Sequence, residues 1–320
     1  MQAPTSRCSA ELQTFPEWSR RLSARVWRLA RWAWAGMHVL SECSVLAPGK
    51  LVLMGEYAVL DGSPAIVLAI NRGVRCDFTV GGVDQHIETP DGDTRFVAPP
   101  LATAPPGRYR FQAWNPVDLP SKPGFGGSAA ACVAACVAAG RPAVDALSIH
   151  HEVQGSGSGI DVLAGIHGGM GRVEHQRWSA LPPLIPVVTF AGRSARTGPR
   201  VERYRGWQGS ERRDFADRSR ALVDNFASDP IAAFRAAWRL LVRMADITGI
   251  AYTTPELEAI VREAEAVGGG AKASGAGGGD CTVALFDNDR SAARFREAME
   301  HLGLRCIPVL PAAGAQLVTS

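Results

Sequence analysis

Residues 122–130 read Lys-Pro-Gly-Phe-Gly-Gly-Ser-Ala-Ala, and an alanine-rich run follows them as far as Gly140. Glycines remove side chains from a bend, and the small residues after it predict a closely packed helix. A helix N-terminus presents unpaired N–H groups and a partial positive charge, so a glycine-rich entry to it suits a phosphate. The Ser128 hydroxyl could then reach a phosphate oxygen or a magnesium ion. Taken alone, the same residues could simply start a helix.

Composition narrows the class of protein. A chain of 320 residues can bury two modest cores, and 46% hydrophobic with 20% charged residues is typical of a globular protein. A net charge of +3 is too small to indicate nucleic-acid binding. The seven cysteines are scattered and odd in number, which favours a reducing cytoplasmic setting without disulfides. No apolar run approaches the length of a membrane span, so we expect no membrane partner.

Residues 1–36 differ from the rest because arginine and tryptophan dominate residues 18–34. We predict that they form a poorly ordered extension ahead of Met37. The alternative is a basic amphipathic helix that touches a membrane surface or a partner.

From Val45 onward, strand and helix patterns follow one another. A strand with a Pro48-Gly49 bend leads to a turn at Asp61-Gly62, and Pro182 and Pro183 mark a boundary between domains 37–182 and 183–320. Thr254 and Pro255 have the residue types of a helix cap and a first turn. The remaining predicted strands are 65–70, 74–80, 185–190, 282–286 and 305–310, and the predicted helices are 128–140, 144–153, 211–225, 230–247, 255–266 and 290–302.

Two more glycine-rich segments carry polar residues. Residues 154–169 place Asp161 after a Gly-Ser-Gly-Ser-Gly-Ile run, and residues 272–281 read Lys-Ala-Ser-Gly-Ala-Gly-Gly-Gly-Asp-Cys. From its position alone, Asp161 could be a helix cap. Three such segments at helix or strand ends are a less probable accident than one.

These segments resemble the motifs of the GHMP kinases, the family that joins galactokinase, homoserine kinase, mevalonate kinase and phosphomevalonate kinase. Residues 47–60, 120–130 and 272–281 are similar to its three motifs in the correct order. The resemblance covers nearly everything from Val45. It implies an α+β fold in two domains, the first like a ribosomal-protein domain and the second ferredoxin-like, with the active site between them.

The resemblance also implies ATP-dependent phosphoryl transfer, with ATP and Mg²⁺ as cofactors. Asp161 is similar to the family's acidic residue beside the acceptor group, and Lys50 to its cationic partner. Ser128 is the expected magnesium ligand. The expected ATP-binding residues are Lys122, Pro123, Gly124, Phe125, Gly126, Gly127, Ser128 and Ala129. The expected acceptor-binding residues are Lys50, Glu56, Tyr57, Ser158, Gly159, Arg193, Lys272, Ser274 and Gly275.

Within the family, three features resemble phosphomevalonate kinases more than mevalonate kinases. They are the Gly-Ser-Gly-Ile-Asp run ending at Asp161, Asp280 with Lys272 in the third motif, and Tyr57 in the first. The implied partner is therefore phosphomevalonate, and a homodimer is left open. The candidate cations for a phosphorylated acceptor are Lys50, Lys272, Arg193 and Arg196, with Lys272 the best supported. A structural salt bridge is an equal alternative for Glu56, as is an exposed loop charge for the two arginines.

Two positions depart from the family pattern. His150 stands where mevalonate kinases carry a magnesium-binding glutamate, so that nearby Glu152, or Ser128 with ATP oxygens and water, would hold the metal. Gly127 replaces the first serine of the second motif and removes one hydroxyl.

The alternatives to the main hypothesis are a kinase acting on mevalonate or a sugar, a decarboxylase of the same fold, a non-catalytic nucleotide-binding protein, and an RNA-binding role.

Overall fold

The computed structural model describes residues 43–155, 157–192 and 197–319. The predicted N-terminal extension and the predicted phosphate-binding arginines Arg193 and Arg196 lie outside these ranges. Residues from 41 onward group into one compact unit. Among the described residues, no helix is both long enough and apolar enough to cross a bilayer.

A seven-stranded sheet forms the first layer. Its central path runs β11-β1-β2-β4-β3, and β5 pairs with both β2 and β6. Apart from the parallel β3–β4 pair, neighbouring strands are antiparallel. The strands are β1 (Cys43–Met54), β2 (Ala65–Val80), β3 (Gln85–Glu88), β4 (Gly107–Trp114), β5 (Met170–Glu174), β6 (Arg177–Leu181) and β11 (Gln316–Thr319).

The expected bend at Pro48-Gly49 is instead a bulge inside a continuous strand. The β1–β2 register shifts between Pro48 and Gly49, and the predicted strands 65–70 and 74–80 are both parts of β2. A Cβ atom on Gly49 would lie 2.3 Å from the Arg72 carbonyl oxygen and 2.6 Å from that of Phe125. The bulge therefore needs glycine, because two segments of backbone approach it closely.

Three helices lie beside the first sheet, and they include the helix predicted after Ser128. They are α2 (Gly127–Ala138), α3 (Asp145–Gln154) and α4 (Ile160–His167), and they follow a single short turn of helix, α1 (Ala98–Leu101). The buried face of α2 consists mainly of alanine and cysteine, which lets this helix approach β1 and β2 closely. As predicted, α2 ends shortly before Gly140, which has a positive φ of 71°.

The second sheet has four antiparallel strands in the order β10-β7-β9-β8. The predicted helices of this half are confirmed to within one or two residues, and the Thr254 hydroxyl caps its helix by accepting from the Leu257 N–H at 3.1 Å. The elements are β7 (Val187–Phe190), α5 (Thr197–Gly206), α6 (Ser210–Asp224), α7 (Pro230–Thr248), α8 (Pro255–Ala266), β8 (Gly270–Ala273), β9 (Cys281–Leu285), α9 (Asp289–His301) and β10 (Arg305–Ile307).

The two sheets share one hydrophobic cluster, in which Leu51 and Leu53 of β1 pack with Val188 of β7 and Val283 of β9. The chain passes from the first sheet to the second between Leu181 and Val187, close to the expected domain boundary. It then returns, because β11 pairs with β1. The division at residues 182 and 183 therefore stays a prediction.

Candidate active site

A cavity of about 600 Å³ opens where the three glycine-rich segments meet. Its wall includes the part of β1 after the bulge, the loop before α2, the first turn of α4 and the loop between β8 and β9. Residues far apart in the sequence thus share one polar cleft, as the motif resemblance implied.

Lys50 and Asp161 form an ion pair in this cavity. The Lys50 Nζ atom lies 3.7 Å from Asp161 Oδ2 and donates a hydrogen bond to the Gly124 carbonyl at 3.3 Å. Lys50 is only 8% exposed, whereas the Asp161 side chain is 36% exposed. Gly159 caps α4 with a positive φ of 73°, and no side chain caps this helix. The predicted ion pair is confirmed, and Asp161 is not a cap but projects its carboxylate into the cleft.

The N-terminus of α2 lies directly beside this pair. Gly126 caps the helix with a φ of 75°, and a Cβ on it would lie 3.2 Å from Asp161 Oδ2 and 3.3 Å from Lys50 Cε. The first N–H groups of a helix have no partner within the helix, so an anion bound there would be held next to the Lys50–Asp161 pair.

We expect Gly126→Ala to destabilise the fold by about 1–2 kcal/mol, because it strains a left-handed backbone and crowds Lys50 and Asp161. Thermal or urea unfolding measures the change. The matched control is Gly127→Ala, since a Cβ there meets nothing within 4 Å and alanine is the better helix former. Equal destabilisation by both variants would contradict this explanation.

The predicted phosphate-binding residues do not all face the cavity. Lys122, Gly124, Gly126 and Ser128 line it. The Lys122 side chain is 87% exposed and pairs with Asp91 at 2.9 Å. The other four residues do not line the cavity: Pro123, the buried Phe125 and Ala129, and the exposed Gly127. Phe125 acts through its backbone, since its carbonyl accepts from the Lys50 N–H at 2.9 Å.

His150 contacts the predicted magnesium ligand. Its Nε2 atom lies 3.3 Å from Ser128 Oγ, and its ring stacks on Phe96 with centroids 4.9 Å apart. Burial lowers the pKa of His150 below its ordinary value, while the nearby Asp161 carboxylate partly offsets this shift. Glu152 is exposed and does not line the cavity, so its placement does not support the alternative that it holds the metal.

The residues present fit a magnesium nucleotide. Mg²⁺ prefers oxygen ligands and keeps several waters and phosphate oxygens. The Ser128 hydroxyl and the Asp161 carboxylate supply oxygens at the mouth of α2. Within the described ranges no group of three or more His, Cys, Asp or Glu residues could hold a metal unaided. Such a sparse protein ligand set is compatible with a metal that arrives on ATP.

Lys272 differs from its predicted role. Its side chain is fully buried, and its Nζ donates to Glu56 Oε1 and to the carbonyls of Ala273 and Val52, at 3.1 and 3.4 Å for the carbonyls. Burial lowers the pKa of the Lys272 ammonium, and the Glu56 carboxylate opposes that shift. Lys272 does not line the cavity, so its charge stabilises Glu56 and is not offered to a bound phosphate. The salt bridge offered as the alternative for Glu56 is present, and Glu56 also lines the cavity, so its predicted contact with the acceptor stays a prediction.

The remaining described residues of the predicted acceptor site line the cavity. Tyr57 has a positive φ of 62° and donates its hydroxyl to the Ala276 carbonyl at 2.6 Å, while burial raises its pKa. Ser274 Oγ accepts from the Val52 N–H at 2.9 Å, which leaves its hydroxyl proton available. Ser158, Gly159 and Gly275 complete this set.

Sequence reasoning missed two walls of the cavity. Leu147, His151 and Gln154 reach it from α3, together with His150, at the spacing of one helix face. That spacing was the available signal. Residues 197, 198, 201 and 202 reach it from α5, a helix that the sequence analysis did not predict.

Known proteins with similar sequences were compared with this chain. Residues 230–303 match the family described as GHMP kinases C terminal. A mevalonate kinase of Archaeoglobus fulgidus is 29% identical over 283 residues, covering 81% of this chain and 98% of the relative. A phosphomevalonate kinase of a Streptomyces species is 28% identical over 359 residues, covering 83% and 96%. This chain is therefore similar to the GHMP kinases along most of its length.

The fold agrees with that similarity. The crystal structure of a Listeria innocua protein superposes with a TM-score of 0.78 at 22% identity, covering 88% of this chain and all of the other chain. At that identity the likeness supports the α+β fold alone. Similarity to the GHMP kinases supports phosphotransferase chemistry, and the two relatives carry names with different acceptors.

Proposed function

We propose that this chain transfers the terminal phosphoryl group of ATP to 5-phosphomevalonate and forms 5-diphosphomevalonate. The observation that carries the proposal is the Lys50–Asp161 ion pair, at 3.7 Å, beside the open N-terminus of α2. It combines a cation for the moving phosphoryl group with a carboxylate for the acceptor. Both reactants are soluble metabolites, and we place the reaction in the cytoplasm.

The nucleotide would be held by the start of α2. Its first N–H groups and the helix dipole attract phosphate oxygens, and the Ser128 hydroxyl would provide an oxygen to Mg²⁺. When bound, MgATP supplies the phosphoryl group and neutralises part of its charge. Gly124 and Gly126 keep the approach free of side chains.

Lys50 and Asp161 would then organise the transfer. Phosphoryl transfer depends on positioning and charge stabilisation more than on covalent chemistry. Lys50 is largely buried, so its positive charge acts in a partly dehydrated site where electrostatic stabilisation is strong. Asp161 orients the acceptor and receives a proton from it when the acceptor is a hydroxyl. A phosphate acceptor needs little proton removal above pH 7, because its second pKa is about 6.

The choice of phosphomevalonate rests on residues around the acceptor side. The loop before Asp161, Tyr57 and Asp280 resemble phosphomevalonate kinases, and Tyr57, Asp161 and Asp280 all line the cavity. Asp280 has a positive φ of 54°, and its carboxylate lies 2.7 Å from where a Cβ of Gly124 would be. The Streptomyces relative carries the same activity in its name.

Mevalonate is the second candidate acceptor. The burial of Lys272 against Glu56 removes one cation expected to bind an acceptor phosphate. The Archaeoglobus relative, named mevalonate kinase, is matched over 98% of its length. Both observations favour an acceptor without the phosphate group, which carries close to two negative charges at pH 7.

An acceptor screen tests the proposal. ADP release is measured by a coupled assay with mevalonate, phosphomevalonate, homoserine and galactose at equal concentrations and saturating MgATP. We expect kcat/KM to be at least tenfold higher for phosphomevalonate than for the others. Turnover of mevalonate alone would select the second candidate, and turnover of a sugar or homoserine alone would reject both.

A further inference from the structure

Two contacts hold α2 and α3 in a fixed antiparallel register. Ser128 Oγ lies 3.3 Å from His150 Nε2, and one helical turn further along, Cys132 Sγ donates to the Ala146 carbonyl at 3.8 Å. The four residues are spaced by four on each helix, so both contacts lie on facing sides. The position of His150 relative to Ser128 is therefore set by helix packing.

The His150 ring is also constrained on its other side. It is 7% exposed and stacks on Phe96 with an interplanar angle of 28°. Packing against an aromatic ring fixes the plane of the imidazole and keeps its Nε2 edge directed at Ser128. His150 and Ser128 both line the cavity, so this contact is part of the cavity wall beside the N-terminus of α2.

A serine hydroxyl has one proton and two lone pairs. If its oxygen binds a cation, its proton must point away from that cation and needs an acceptor elsewhere. If it donates to a phosphate oxygen instead, the proton points into the cavity. The partner of the proton therefore decides which of the two roles the hydroxyl takes.

We propose that His150 is a positioning residue, whose unprotonated Nε2 accepts the Ser128 hydroxyl proton and commits Ser128 Oγ to the cation of MgATP. This inference rests on the proposed nucleotide-binding function. Mg²⁺ prefers oxygen donors, so His150 itself is not a ligand. His150 acts only through the serine, and affinity for the nucleotide should depend on it only when Mg²⁺ is present.

The experiment measures binding of AMPPNP, a non-hydrolysable ATP analogue, by titration calorimetry, once with excess Mg²⁺ and once with EDTA. His150→Phe keeps a ring to stack on Phe96 and removes the acceptor, while His150→Gln restores an acceptor oxygen. The matched control is His167→Phe. His167 is an exposed histidine whose ring also stacks on an aromatic side chain, that of Trp178, with centroids 5.2 Å apart, and it does not line the cavity.

We expect His150→Phe to weaken binding of the magnesium complex roughly fivefold, which corresponds to the loss of one hydrogen bond, and to leave binding in EDTA unchanged. His150→Gln should recover part of the loss, and His167→Phe should bind like the unaltered chain. An equal loss with and without Mg²⁺, or no loss, would overturn the inference while leaving the kinase function standing. An unaltered chain that binds no nucleotide in either condition would overturn both.

A second measurement does not depend on the variants folding. Nitrogen-15 NMR of the unaltered protein bound to Mg-AMPPNP reports which ring nitrogen of His150 carries the proton. We expect the proton on Nδ1, which leaves Nε2 as the acceptor. A proton on Nε2 would make Ser128 the acceptor and overturn the assignment.

Discussion

Replacing Asp161 by Asn is expected to lower kcat roughly 100-fold or more, while the affinity for the nucleotide changes little. The substitution keeps the shape of the side chain but removes the charge that pairs with Lys50 at 3.7 Å and the oxygen that receives a proton from a hydroxyl acceptor. General acid–base groups contribute rate factors of about 10²–10⁴, and misplacing the acceptor adds to the loss. Steady-state kinetics and nucleotide titration separate the two effects.

The matched control is Asp214→Asn. Asp214 also pairs with a cation, Arg218, but both side chains are more than half exposed and neither lines the cavity. We expect this control to retain full turnover. Turnover of Asp161→Asn within twofold of the unaltered enzyme would contradict the role of Asp161. A pH–rate profile adds detail, because a phosphate acceptor makes the rate less dependent on Asp161 as a base than a hydroxyl acceptor does.

Replacing Lys272 by Met is expected to destabilise the protein by about 3–5 kcal/mol. The Lys272 ammonium and the Glu56 carboxylate are both almost completely inaccessible to water. Removing one member of such a pair leaves the other charge buried without compensation. Urea unfolding at pH 7 measures the loss in the free energy of unfolding.

A double-variant cycle tests the cause of that loss. Adding Glu56→Gln to Lys272→Met removes the buried charge that has lost its partner. We therefore expect the free energy of unfolding of the double variant to be at least 1 kcal/mol higher than that of Lys272→Met. The control is Lys122→Met, which breaks the exposed pair with Asp91 and should cost less than about 1 kcal/mol. Strictly additive losses at residues 56 and 272 would show that the two charges do not stabilise each other.

Helix ends were predicted well because their signals are local. Thr254 and Pro255 define the start of α8 within three residues of sequence, and Gly140 follows the end of α2. The continuity of β1 could not be predicted in the same way. Whether Pro48-Gly49 bends the chain or forms a bulge depends on β2, which holds both sides of the bulge in one ladder.

The same difference between local and long-range signals applies to the residues of the candidate site. Lys50, Asp161 and Ser128 were found because their motifs are contiguous in the sequence. The burial of Lys272 was not predicted, because its partner Glu56 is 216 residues away in the sequence. The ion pair exists only once β8 lies beside the end of β1. The cavity face of α3 was missed because its polar residues have an ordinary helical spacing that an exposed surface would share.

The return of the chain to the first sheet has a consequence for how the enzyme matures. Strand β1 carries Lys50, and its outer edge pairs with β11, from Cys43 with Thr319 to Leu46 with Gln316. During synthesis the N-terminal part emerges first, so that edge stays open while the second sheet is being made. Strand β1 gains this outer neighbour only after β11 has been synthesised. Completion of the first sheet, and with it the final surroundings of Lys50, therefore follows synthesis of the second sheet.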